Sequence, residues 1–99
     1  MSSLNNHEDT FIIRDDTRID KEKYKGYDFK RVAIPDTVKE IGPYAFYGCS
    51  NLTEITIPAS VLTIGHSAFE NCTLLNKVTI KGDNLKLIGK NAFKECKIT

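Results

Sequence analysis

The sequence predicts a short α/β solenoid, and three observations support this fold class. The 99-residue chain is 40% hydrophobic and 27% charged, which is typical of a single folded domain. Its apolar residues recur at an interval of 23 residues. Each repeat joins an alternating, β-branched stretch to a segment spaced like one helical turn. Because repetition at about 20 to 50 residues is typical of stacked coils, we expect equivalent side chains to lie over one another.

Three copies of the repeat align along most of the chain. The alignment needs one inserted residue between Lys81 and Asn84. Its apolar columns include Phe29, Leu52 and Leu75; Val32, Ile55 and Val78; Ile34, Ile57 and Ile80; Val38, Val61 and Leu85; and Ile41, Ile64 and Ile88. Its columns of identical small, aromatic and thiol residues are Gly42, Gly65 and Gly89; Ala45, Ala68 and Ala92; Phe46, Phe69 and Phe93; and Cys49, Cys72 and Cys96.

The middle copy shows the expected order of elements in one coil. Residues 52–57 end in strict alternation and predict a strand, which Pro58 terminates. Residues 61–64 predict a second short extended segment. We expect Gly65 to take a positive φ and reverse the chain. Residues 67–72 then predict a helical turn that faces inward.

A weaker match lies upstream, at an offset of 22 residues. It places Ile12 and Ile19 where later copies have Ile34 and Ile41, and Tyr24 and Tyr27 where they have Phe46 and Cys49. Terminal coils of a stack are usually atypical. We therefore expect a flexible N-terminus over residues 1–9, a degenerate capping repeat over 10–28, and three repeats over 29–51, 52–74 and 75–99.

The motif L-x-x-I-x-I-P-x-x-V-x-x-I-G-x-x-A-F-x-x-C, seen in residues 52–72, resembles the BspA-type leucine-rich repeat. Residues 29–49 follow it with Phe29 first, and residues 75–96 follow it with the insertion and without the proline. The resemblance implies a right-handed solenoid with a short parallel β-sheet on its concave face and short helical turns outside. It also implies a binding protein without catalysis, since family members are typically adhesion, host-interaction or intracellular binding proteins.

Composition and motifs argue against several other classes of function. The formal net charge of +1 does not favour nucleic acid. No apolar run approaches the length of a membrane span, and residues 1–11 do not resemble a secretory signal. We expect a cytoplasmic or otherwise intracellular protein if Met1 is the native start, and a cell-surface or secreted one if the chain is a fragment.

The sequence predicts no catalytic, cofactor or metal site. Cys49, Cys72 and Cys96 would lie in a line about 4.7 to 5 Å apart in successive coils, so they cannot surround one tetrahedral zinc ion. We expect them to be buried structural thiols. His7 and His66 have no acidic or cysteine partner at a recognised spacing.

The best candidate site is the concave sheet face, which would bind a protein partner. Its predicted residues lie between and before the inward-facing strand positions: Lys30, Arg31, Ala33, Thr53, Glu54, Thr56, Asn76, Lys77 and Thr79. Tyr44 and Tyr47 form either an exposed aromatic contact or packing against a neighbouring coil. The alternative functions are self-assembly, as a homodimer through the uncapped C-terminal coil, and a fragment of a longer surface adhesin.

Overall fold

Short parallel strands form the framework of the molecule. The computed structural model describes residues 10–14 and 16–98. Its strands are β1 Thr10–Ile12, β2 Arg18–Ile19, β3 Arg31–Ala33, β4 Glu40–Ile41, β5 Glu54–Ile57, β6 Thr63–Ile64, β7 Lys77–Ile80 and β8 Leu87–Ile88. The odd-numbered strands form sheet A in the order β1-β3-β5-β7, and the even-numbered strands form sheet B in the order β2-β4-β6-β8. Each coil gives one strand to each sheet, so the fold is a parallel-strand β-solenoid.

The strand register confirms the repeat and its insertion. In sheet A, β5 pairs with β7 from Glu54 opposite Lys77 to Ile57 opposite Ile80, an offset of 23 residues. In sheet B, β6 pairs with β8 at an offset of 24, with Ile64 opposite Ile88. The extra residue lies in the connection between β7 and β8. There the side-chain amide of Asn84 donates to the backbone carbonyl of Ala59, which holds the longer loop against the preceding coil.

Equivalent side chains stack through the core as predicted. The rings of Phe46 and Phe69 lie 5.0 Å apart and 6° from parallel, and those of Phe69 and Phe93 lie 5.3 Å apart and 1° from parallel. Tyr24 extends this column into the first coil, 5.5 Å from Phe46. Because each ring is covered by its copies, the middle ones are fully buried. Apolar burial of this kind stabilises a coil only when its neighbours are present.

The predicted helical turns are wrong, since no helix occurs among residues 10–14 and 16–98. The segments that align with residues 67–72 form a third ladder of hydrogen bonds between coils. The amide of Phe46 donates to the carbonyl of Ala68 at 2.8 Å, and that of Gly48 donates to Glu70 at 2.9 Å. The intervening amides of Ala45 and Tyr47 bond three residues back within their own coil. Amides that bond to the next coil are not available for a helix.

Backbone torsions in the same segments also oppose a helix. Tyr44, Ser67 and Asn91 occupy equivalent positions and have φ values of 57°, 57° and 63°. Right-handed helices require negative φ, so each of these residues interrupts any helical turn. The spacing of Ala68, Phe69 and Cys72 that suggested a helix instead reflects their burial on the inner side of a turn.

The proposed role of Gly65 is also wrong. Gly65 is not among the residues with positive φ, which Ser67 adopts two positions later. Glycine is needed at position 65 because two backbones approach closely there. A Cβ atom on this residue would lie 2.5 Å from the backbone nitrogen of Pro43 in the preceding coil.

The first coil differs from the predicted alignment by one residue. β1 pairs with β3 at an offset of 21, which places Ile12 opposite Ala33 on the outer face. Ile13, only 3% exposed, therefore takes the core position that was expected for Ile12. The offset returns to 22 at β2, where Ile19 pairs with Ile41. The connection between β1 and β2 is thus one residue shorter than in the next coil. The flexible segment predicted over residues 1–9 lies outside the described residues.

Candidate interaction surface

The predicted binding residues lie side by side on the outer face of sheet A. Strand alternation turns the buried residues Val32 and Ile55 inward, so their neighbours point away from the core. The outward-facing residues are Arg31 and Ala33 on β3, Glu54 and Thr56 on β5, and Lys77 and Thr79 on β7. Lys30, Thr53 and Asn76 precede these strands and are joined by backbone bonds of 3.1 and 3.0 Å. The structure brings all nine together in three adjacent rows.

Charge alternates along one line of this face. Arg31, Glu54 and Lys77 are in register across β3, β5 and β7. The Nε atom of Arg31 lies 3.0 Å from Oε2 of Glu54, and both side chains are 44% exposed. An ion pair with that exposure adds at most about 1 kcal/mol to stability. Its main effect is to hold the two charged groups next to each other on the outer face of sheet A.

A shallow groove of about 320 Å³ runs beside Ala33. It is lined by Val32, Ala33, Ile34, Asp36, Thr56, Pro58 and Lys81. Ala33 has a smaller side chain than Thr56 and Thr79, the residues of later coils on the same line. The sequence interpretation missed Asp36 and Lys81, which come from the connections after β3 and β7. An alanine among threonines was the available signal for a groove.

Tyr44 and Tyr47 lie on the turn side of the solenoid, outside both sheets, and are half-buried. Their ring centroids are 5.5 Å apart, and Tyr44 also meets His66 edge-on at 5.0 Å. The hydroxyl of Tyr47 accepts a hydrogen bond of 3.0 Å from Asn71, and Lys25 lies 5.7 Å from its ring centroid. These contacts join three coils, so both tyrosines pack against their neighbours while keeping an exposed edge.

The three cysteines form a ladder of thiol hydrogen bonds. Cys49 donates to the carbonyl of Tyr24 at 3.2 Å, Cys72 to Phe46 at 3.2 Å and Cys96 to Phe69 at 3.1 Å. The interaction with the Cys49 thiol and, to a lesser extent, burial raise the pKa of the Cys72 thiol, and burial raises the pKa of Cys96. The same interaction with Cys72 lowers the pKa of the Cys49 thiol. A protonated thiol is a poor nucleophile, so Cys72 and Cys96 are suited to structural roles.

No group of three or more His, Cys, Asp or Glu side chains within residues 10–14 and 16–98 could hold a metal ion. Over the same residues, no helix has the length and apolar character needed to cross a membrane.

Comparison with known protein families identifies the family of this repeat. The model described as BspA type leucine rich repeat region (6 copies) matches residues 12–99. The chain belongs to the BspA-type leucine-rich repeat family. The resemblance seen in residues 52–72 is therefore confirmed, and the match extends into the degenerate first coil.

Two solved structures share the fold of this BspA-type chain. The pneumococcal vaccine antigen PcpA aligns with a TM-score of 0.75 and 23% identity over 91% of this chain and 29% of that one. A leucine-rich cell surface protein from Faecalibacterium prausnitzii A2-165 aligns with a TM-score of 0.60 and 21% identity over 89% of this chain and 45% of that one. The chain thus spans less than half of either structure. The comparison with curated proteins gave no match.

Proposed function

We propose that this chain is a non-catalytic protein-interaction module that binds a protein partner through the outer face of sheet A, the face predicted to be concave. The observation that carries the proposal is the regular row of exposed Arg31, Glu54 and Lys77 beside the groove at Ala33. Strands hold these groups at fixed spacings, so little backbone entropy is lost on binding. Family membership is consistent with this role.

The surface offers a partner both polar and apolar contacts. The outward charges of β3, β5 and β7 favour a partner with complementary charges in alternating order. The groove accepts a small apolar side chain between Ala33 and Pro58. Polar groups that set orientation around an apolar pocket are typical of specific interfaces.

We further propose that the module belongs to a longer cell-surface protein with an adhesin-like role. Support comes from PcpA, described as a vaccine antigen, and from the F. prausnitzii protein, described as a cell surface protein. Both contain this fold as part of a longer chain. A short stack fits that arrangement because solenoid modules gain stability from neighbouring coils.

A charge-removing triple variant tests the binding face. The variant R31A/E54A/K77A removes the charged line of sheet A. In affinity capture read out by mass spectrometry, it should therefore recover at least about tenfold less partner than the unaltered chain does. The matched control is R18A/E40A/K86A, which removes the same number and sign of charges elsewhere. Arg18 and Glu40 lie on sheet B, and Lys86 directly precedes β8. Both variants should keep the thermal midpoint within a few degrees, because all six side chains are exposed or half-exposed. Equal capture by the two variants would refute the placement.

A further inference from the structure

The groove beside Ala33 opens sideways, on the outer face of sheet A. Its walls come from three successive coils: Val32, Ala33, Ile34 and Asp36 from the coil of β3, Thr56 and Pro58 from that of β5, and Lys81 from that of β7. A further coil at either end of the stack would pair with an edge strand of sheet A and leave its outer face open. Whatever fills the groove therefore comes from outside the solenoid.

Two side chains of opposite charge line the groove at different coils. Asp36 follows β3 and Lys81 follows β7, and both are exposed. Neither forms an ion pair with another residue in the described parts of the chain. Because neighbouring strands lie about 4.8 Å apart, the two residues are separated by two coil spacings, or about 10 Å. The groove thus has a negative end at Asp36 and a positive end at Lys81.

The part of the groove between these charges is apolar. Val32 and Pro58 are buried, Ile34 is half-buried, and the exposed Ala33 leaves a gap beside the larger Thr56. An apolar side chain of a ligand would be removed from water here, which favours its binding. The order across the groove is therefore negative, apolar and positive.

The size and depth of the groove favour a segment of a protein over a small molecule. Pockets for small molecules bury most of their ligand, whereas this groove is shallow and its volume of about 320 Å³ is at the low end of their range. A protein segment needs no such burial because its other residues contact the surrounding face, including the row of Arg31, Glu54 and Lys77. In an extended segment, residues three positions apart are separated by about 10 Å, which matches the two coil spacings between the charges.

We propose that the groove recognises an extended segment of the partner in which a basic and an acidic residue, three positions apart, flank a small apolar one. The basic side chain pairs with Asp36, the apolar side chain enters between Ala33 and Pro58, and the acidic side chain pairs with Lys81. The inference rests on the function proposed above, because the groove belongs to the same face. It adds the order of charges that a partner must carry.

Three short peptides that differ only in charge test this order. Their cores are KVAE, KVAK and EVAE, with blocked ends, and each is titrated into the ¹⁵N-labelled chain while the amide signals are followed by NMR. KVAE should bind at least about threefold more tightly than either of the others, a difference that one exposed ion pair accounts for. The amide signals of Ala33, Ile34 and Thr56 should shift.

Charge reversal in the chain should change which peptide binds best. D36K should make EVAE the tightest ligand, and K81E should do the same for KVAK, because each variant gives the groove two charges of one sign. E40K on sheet B and K86E directly before β8 are the matched controls and should keep the preference for KVAE. All four positions are exposed, so the variants should keep the circular dichroism spectrum of the unaltered chain.

Equal affinity for the three peptides, no binding of KVAE at millimolar concentration, or an unchanged ranking in D36K and K81E would overturn the inference. So would shifts confined to residues outside the groove. The capture experiment above separates this failure from failure of the proposed function. Loss of capture by R31A/E54A/K77A together with equal peptide affinities would overturn the groove inference alone, whereas retained capture by that variant would refute the binding face.

Discussion

Gly42, Gly65 and Gly89 lie where the backbone of one coil touches that of the coil before it. Cβ atoms at these positions would lie 2.8, 2.5 and 2.5 Å from backbone atoms of the preceding coil. A second line of equivalent positions, Gly48, Asn71 and Glu95, requires a positive φ, from 62° to 72°. Asparagine and glutamate stand at two of these positions, so this line accepts side chains. Glycine therefore serves two distinct purposes in the repeat, close approach in one line and backbone torsion in the other.

Replacing Gly65 by alanine should destabilise the protein by about 2 to 3 kcal/mol, as overpacking between rigid backbones does. The neighbouring atoms belong to Pro43 and Gly42, which cannot rotate away as a flexible side chain could. Equilibrium urea unfolding would measure the loss. Gly48→Asn is the matched control and should cost less than about 1 kcal/mol. No heavy atom lies within 4 Å of a Cβ there, and asparagine is found at the equivalent position 71. Similar losses from both variants would contradict the steric explanation.

At the scale of elements, the turn side behaves as a third ladder alongside sheets A and B. Alternate amides bond to the next coil, and the column of thiols adds one donor per coil to carbonyls of Tyr24, Phe46 and Phe69. A thiol is apolar enough to be buried in the core and still donates a weak hydrogen bond. This combination of properties suits cysteine to these positions.

The raised pKa of Cys72 should make stability depend on alkaline pH. The unfolded thiol loses its proton near its ordinary value of 9.0, whereas the folded thiol keeps it. As pH rises above 9, the unfolded state therefore releases a proton that the folded state retains. The free energy of unfolding falls by up to about 1.4 kcal/mol per pH unit from this group.

The variant C72A should be less stable by about 1 to 3 kcal/mol at pH 7.5, because the Phe46 carbonyl loses a partner and the core loses a sulfur atom. It should also lose less further stability between pH 9 and 10.5 than the unaltered chain does. Urea unfolding at several pH values would measure both effects. S50A, at an exposed turn position, serves as a control that should leave the pH dependence unchanged. The assignment to Cys72 would be wrong if C72A kept the full alkaline slope.

At the scale of the whole molecule, stability comes from contacts between successive coils, so position along the stack sets the contribution of a side chain. Phe69 packs between two rings, 5.0 Å from Phe46 and 5.3 Å from Phe93, and is fully buried. Phe93 has one aromatic neighbour in its column and is only partly buried. The same residue type in the same line therefore has two different environments. This is the expected behaviour of a one-dimensional stack.

The matched variants F69A and F93A should lower the free energy of unfolding by different amounts because the two rings have these different environments. F69A should cost about 3 to 5 kcal/mol, as loss of a fully buried phenylalanine does, and F93A about 1 to 2 kcal/mol. Urea unfolding followed by circular dichroism would measure both. If F69A leaves no folded baseline, F69L and F93L should show the same order with smaller losses. Equal losses at the two positions would argue against coil-by-coil stabilisation.

The sequence by itself determined the repeat interval, the columns that stack, the inserted residue between β7 and β8, and the family. These follow from apolar residues at fixed intervals, because burial depends on the residue type and its spacing. It also identified the nine residues that lie together on sheet A, since strand alternation sets which side chains point outward.

Only the tertiary structure decided how the turn segments bond, why Gly65 is glycine, which isoleucine of the first coil enters the core, and which residues line the groove. Residues 67–72 have a spacing that suits a helical turn as well as the observed turns. The choice between them depends on whether an amide bonds within its own coil or to a carbonyl of the next one. That carbonyl lies 20 or more residues away, so the competition is settled by contacts between coils rather than by local preference.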